Sequence, residues 1–120
     1  MKRAKLIIAT QACLFSISAF AAELSEMAGR WTWNKFTIEV SACENGRMCA
    51  KVIAGPKNVG MELFASALTT KDGDWFGEIT DPATKITYNT RLRKSAADVW
   101  RLDGCTPTRI CLSGEFVKAK

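Results

Sequence analysis

The sequence predicts an all-β domain, a small antiparallel meander that closes into a lipocalin-like β-barrel after an N-terminal signal helix. Three observations carry that prediction. Apolar and polar residues alternate with period two through most of the chain beyond residue 35, as in a sheet with one buried face. Each alternating run is bounded by turn-forming residues. Four cysteines follow the first 21 residues, and an even number in a small exported domain reads as a disulfide framework.

The first segment is a targeting signal. Lys2, Arg3 and Lys5 form a charged start, Leu6 to Phe20 is uncharged and mostly apolar, and Ala19 and Ala21 supply the small residues that precede a cleavage site. Cleavage is expected after Ala21, leaving residues 22–120 as one domain. The apolar run is about 15 residues, short of the roughly 20 that span a bilayer, and Gln11 interrupts it, so no stable membrane anchor is expected after cleavage. Thr10, Gln11 and Ala12 ahead of Cys13 do not make a lipoprotein site. The expected location is periplasmic or secreted.

Processing changes the charge balance. The whole chain has 17 basic and 12 acidic residues. Removing Lys2, Arg3 and Lys5 leaves 14 basic residues against 12 acidic ones, a net charge of +2. Much of the high isoelectric point belongs to the signal. A nucleic-acid partner is not expected, because no dense basic cluster remains to displace counterions. Arg91, Arg93 and Lys94 form the densest basic stretch and read as the solvated face of a strand.

The mature chain opens with Glu23 to Ala28, a possible helical turn that plugs one end of the fold. Phe36, Ile38 and Val40 then share one face, as do Met48, Ala50 and Val52. Trp75, Gly77 and Ile79 follow, then Ile86, Tyr88, Thr90 and Leu92, the cleanest run. Trp100, Leu102 and Gly104 continue, and Leu112, Gly114 and Phe116 close the chain. Asn45-Gly46, Lys71 to Asp74, Asp81 to Thr84, Lys94 to Ala96 and Thr106-Pro107 punctuate these runs. Ala54 to Gly60 is loop-like. Met61 to Leu68 is ambiguous: a strand, the favoured reading, puts Leu63, Ala65 and Ala67 on one face, and a helix would put Met61, Phe64, Ala65 and Leu68 on one face. Six to eight short strands joined by short turns tend to curl and hide their edges.

Cys13 leaves with the signal, so Cys43, Cys49, Cys105 and Cys111 remain. Cys-x5-Cys recurs at two unrelated turns, which favours local bridges Cys43–Cys49 and Cys105–Cys111 over Cys43–Cys105 with Cys49–Cys111 or the crossed pair. A tight turn at Asn45-Gly46 would set Cys43 opposite Met48, so the first bridge requires a longer loop. Zinc is not expected: the chain has no histidine and the spacing is too wide.

Chemistry is sparse. Without histidine there is no His-based triad. Asp72, Asp74 and Asp81 read as turn formers, and no carboxylate pair follows from spacing. The chain is read as a non-enzymatic module with no cofactor. Trp31, Trp75, Tyr88 and Trp100 are the candidate ligand-binding residues, either core side chains or the inner wall of a small-ligand cavity. Trp33, beside the first turn, is expected at the surface.

Gly29-x-Trp31, Ile38-Glu39-Val40, Cys43 and Met48 to Ile53 form an ordered set. Trp75-x-Gly77-x-Ile79-x-Asp81-Pro82, Tyr88, Gly104-Cys105 and Cys111 continue it. The whole resembles the bacterial exported family catalogued as domain of unknown function 2147. The chain departs from that pattern in a shortened stretch around Ala54 to Met61 and in Phe116, where a tryptophan is usual. The resemblance implies a compact exported β-barrel-like domain and no assigned activity. The expected partner is a small apolar or amphipathic ligand in the cup, or alternatively an envelope protein or exported enzyme bound through surface loops.

Overall fold

The computed structural model describes residues 22–120; the signal helix, the cleavage site and Cys13 lie outside the described residues. Eight antiparallel strands form a single sheet curled into a half-barrel: β1 (Gly29–Trp33), β2 (Phe36–Ala42), β3 (Met48–Ala54), β4 (Thr69–Lys71), β5 (Asp74–Thr80), β6 (Thr87–Ala96), β7 (Val99–Cys105) and β8 (Cys111–Lys118). Their order across the sheet is β3-β2-β1-β8-β7-β6-β5-β4. The first and last strands are therefore neighbours, joined by Trp31 opposite Lys118 and Thr32 opposite Val117. The edge strands β3 and β4 are consecutive in the chain.

The connection between those edges also fills the gap between them. Leu63 N–H donates to the Ala50 carbonyl of β3 at 2.7 Å, and the Leu63 carbonyl accepts Thr80 N–H of β5 at 2.8 Å. Ala65 N–H donates to the Glu78 carbonyl at 2.8 Å, and Gly60 N–H to that of Val52 at 2.7 Å. Residues 61–65 thus satisfy backbone groups on both edges, as buried peptide polarity demands. Met61 to Leu68 is not the strand that was expected. It makes only isolated bridges, Lys51 to Glu62 and Phe64 to Ile79. Consecutive Leu63 and Phe64 are buried while Ala65 and Ala67 are exposed, so no period-two pattern survives.

Elsewhere the expected inner face is the observed one. Ile38, Val40, Ala50, Val52, Ile79, Leu92, Trp100, Leu102 and Phe116 are all buried in one core. The segment before β1 is a 3-10 turn, Leu24–Met27, whose Leu24 and Met27 are buried. It plugs one end of the half-barrel, and Trp31 Nε1 donates to the Met27 carbonyl at 2.7 Å to hold it there.

Trp33 corrects the sequence reading. It is 2% exposed and its ring packs against Phe116 with centroids 5.4 Å apart. Gly114 on the neighbouring strand makes that possible, since a Cβ there would lie 2.5 Å from Trp33 Nε1.

Both bridges are local, Cys43–Cys49 and Cys105–Cys111. Their α-carbons are 5.8 Å apart in the first and 4.0 Å in the second. The second pair is directly opposed in the β7–β8 ladder. It stands beside the hydrogen-bonded Thr106–Ile110 pair, in the position where antiparallel α-carbons approach most closely. The two disulfides are consistent with an oxidising extracellular compartment.

Candidate binding site

The four aromatic residues singled out in the sequence do not converge. Trp31 and Trp100 lie within the continuous core, Trp75 packs against its margin, and Tyr88 is buried on the inner face opposite Ile79. Three of the four are closed off from solvent; Trp75 is half-buried. Its indole N–H donates to the Ala22 carbonyl at 2.9 Å. The small residues on the inner face give their space to protein atoms. A Cβ at Gly77 would overlap Leu68, one at Gly104 would meet Thr90, and Gly114 makes room for Trp33.

Among the concavities at the surface of the described residues, three bear on binding. The smallest, a cleft of about 230 Å³, sits between the 3-10 plug, the Cys43–Cys49 loop and the Ala67-Leu68 segment. Leu24, Met48, Leu68 and Trp75 give it apolar walls and Arg47 a charge. Arg47 is anchored there: its Nη2 donates to the Phe64 carbonyl at 2.7 Å, while its Nε is buried without a partner.

The second is a hollow of about 660 Å³ across the outer face of β5, β6 and β7. Gly77, Thr90 and Gly104 stand in one row of the sheet, each opposite the next. All three are on the inner phase of their strands, so the floor of the hollow is backbone, and the Thr90 hydroxyl is turned inward and donates to the Gly77 carbonyl at 2.8 Å. Phe76, Glu78, Asn89, Arg91 and Asp103 surround that row. Phe76 is 37% exposed.

Charges around this hollow are paired within and across strands. Arg101 donates to both Asp103 oxygens, at 3.0 and 3.1 Å, and the Ser113 hydroxyl donates to Asp103 at 2.8 Å. These bonds, the Arg101 one first, hold the Asp103 carboxyl below its ordinary range. The same pair raises Arg101. Arg91 and Arg93 both reach Asp74, at 3.7 and 3.3 Å, so the densest basic stretch is a solvated, ion-paired face.

The third concavity, of about 670 Å³, is charged and lies at the plugged end. Ala22, Glu26, Asp72, Gly73, Asp74, Arg93 and Lys94 line it. Lys94 Nζ meets Glu26 Oε1 at 2.8 Å, and this bond, with one from Glu23 N–H, holds the Glu26 carboxyl below its ordinary range. Among the described residues no three cysteine, aspartate or glutamate side chains stand together as a metal site would require.

No family model, curated protein or solved structure matches this chain. Sequence reading missed Phe76 and Arg91 as members of one surface. The signal was present only as a pattern: Phe76 is the apolar residue on the polar phase of its strand.

Proposed function

We propose that the protein is an exported, non-enzymatic module of the periplasm or extracellular space that binds a partner protein through the outer hollow of β5–β7. The observation that carries this reading is the exposed Phe76 beside the backbone floor at Gly77, Thr90 and Gly104. Small-molecule sites cover most of their ligand. This hollow is open on one side, with Phe76, Glu78, Asn89, Arg91 and Cys105 exposed around it, so the remaining cover has to come from the ligand's own bulk. A loop of an envelope protein or exported enzyme that lays an apolar side chain over Phe76 and the glycines fits, with polar groups meeting Arg91 and Glu78. A filled core and two disulfides supply a rigid platform for such a contact. Kinship with domain of unknown function 2147 belongs to the same proposal and rests on the ordered motifs alone.

Site-specific photo-crosslinking tests it. A photoreactive residue at position 76 should give a discrete higher-mass adduct in cells. The same residue at position 59, where Val59 is 60% exposed, should not. Arg91→Glu should abolish the adduct at 76; equal labelling at 59 and 76 would refute the assignment.

One observation favours the small amphipathic ligand as a second reading. Trp75 lines the 230 Å³ cleft beside Met48, Leu68 and Arg47, a setting for a short apolar chain with an anionic head. Addition of fatty acids should then change tryptophan emission in the native protein and leave Trp75→Phe unchanged. A silent titration removes this reading.

A further inference from the structure

We propose that the charged hollow at the plugged end is the seat of the chain's own α-ammonium, created when the signal is removed between Ala21 and Ala22. The inference rests on the processing site read from the sequence. Ala22 already lines the hollow, and its carbonyl is fixed by Trp75 Nε1 at 2.9 Å. Residue 22 is therefore held against the sheet, and a new charge on its nitrogen arises in a hollow whose lining includes the carboxylates of Glu26, Asp72 and Asp74.

Those carboxylates differ in what they already hold. Glu26, from the plug, is paired with Lys94 of β6. Asp74 of β5 is shared by Arg91 and Arg93 of β6. Asp72, in the turn between β4 and β5, takes part in no ion pair among the described residues. The hollow therefore has one carboxylate without a cation, and processing supplies one at that place. In the precursor the same nitrogen is a neutral amide. The plug that it precedes carries Leu24 and Met27 into the core, so fixing residue 22 at both its carbonyl and its nitrogen ties the plug down.

The sign of the pH effect follows. A free α-amino group titrates at about 7.7–8.0, and a carboxylate partner raises that value in the folded state. The stabilisation is then complete below the ordinary value and disappears as pH rises through the raised one. The other charged groups that face the hollow are Glu26, Asp72, Asp74, Arg93 and Lys94, with Arg91 on Asp74.

The test compares the protein beginning at Ala22 with the same protein acetylated on its α-nitrogen. At pH 7 the free amine should melt about 2 to 4 °C higher, the size expected of a partly exposed pair in a domain of this length. The gap should close near pH 10, and Asp72→Asn should remove it at pH 7. Asparagine tolerates the left-handed backbone at this position, φ 53°, so that variant keeps the turn. Reductive ¹³C-methylation should report an α-amino pKa above about 8. An amine that titrates as in a free peptide, with equal melting of the two forms, overturns the seat alone. A mass for the exported protein that places its first residue elsewhere overturns the processing reading, and the seat with it.

Discussion

The two disulfide hairpins share one sequence spacing and similar turn bonds, and differ in how they are attached to the rest of the fold. Cys105 and Cys111 face each other across the β7–β8 ladder, and their turn is held by its own bonds. Thr106 N–H donates to the Ile110 carbonyl at 2.8 Å, and Ile110 N–H returns to the Thr106 hydroxyl at 3.1 Å. Cys43 lies beyond the β2–β3 ladder, which ends at Ala42 opposite Met48. Its bridge spans a 3-10 turn, Glu44–Gly46, in which Asn45 adopts φ 55°. That loop reaches outward: Arg47 crosses to the Phe64 carbonyl in the segment that fills the gap between the sheet edges. Both cysteines of the second bridge are exposed, whereas both of the first are half-buried. Spacing therefore encodes which cysteines pair, and the residues between them decide whether the bridge is coupled to the rest of the fold.

Removing each bridge is the most direct way to break that comparison. Both close loops of sequence separation 6, so the chain-entropy contribution is the same, about 2 kcal/mol for each. Cys105→Ser with Cys111→Ser should cost about that much in urea unfolding. Cys43→Ser with Cys49→Ser should cost about 3–4 kcal/mol, because loosening the loop also weakens a charged hydrogen bond to a part-buried carbonyl. Equal losses would mean that the Arg47 contact adds nothing to the bridge.

The same contrast explains what the sequence could disclose. Ile38, Val40, Ala50, Leu92 and Leu102 were legible because period two is a property of the strand itself. Leu63 and Phe64 were not, because their burial is set by hydrogen bonds to two strands distant in sequence, and a segment so held has no period of its own. Trp33 was placed at the surface because the space it fills is vacated by Gly114, a partner visible only once β1 and β8 are adjacent. The outer hollow is hidden for a related reason. Gly77, Thr90 and Gly104 read as three unrelated small residues until the register sets them in one row. Trp75 was named from the sequence and does line a cleft; Trp31, Tyr88 and Trp100 share its strand phase and are buried.

Arg47 sharpens the comparison at a smaller scale. Arg47→Met keeps the apolar stem, removes the bond to Phe64, and also removes the buried Nε that has no partner. The two changes oppose each other, so the net cost should be about 1–2 kcal/mol rather than the full value of a charged hydrogen bond. The loss should shrink when Cys43 and Cys49 are both serine and stay unchanged when Cys105 and Cys111 are. A double-mutant cycle by urea unfolding measures that coupling. Additivity with the first bridge would show that loop and disulfide stabilise the fold independently.

The smallest expected effect is one of pH, and it falls on the other hairpin. Asp103 is two residues ahead of Cys105 and holds β7 to β8 through Ser113 while accepting both bonds from Arg101. Its folded-state pKa lies below the ordinary 3.8, with the Arg101 bond the largest cause. A depressed carboxylate contributes stability above its ordinary value and loses that contribution as pH falls through the lower, folded one. The Cys105–Cys111 hairpin should therefore loosen below about pH 4. The side chain is 32% exposed and Arg101 46%, so solvent screening keeps the change small. Melting temperature is a poor probe, because Glu26 at the plug is also held low, by Lys94, and loses its bond over the same acidic range. Amide exchange separates the two. Between pH 5 and pH 2.5, corrected for intrinsic rates, protection around Ser113 and Gly114 should fall in the native protein and not in Asp103→Asn. Protection at Val52, behind the other bridge, where the N–H donates to the Met61 carbonyl at 2.9 Å, should stay constant in both. A parallel fall at Val52 would mean that acid acts on the sheet as a whole and that the two hairpins are not separable.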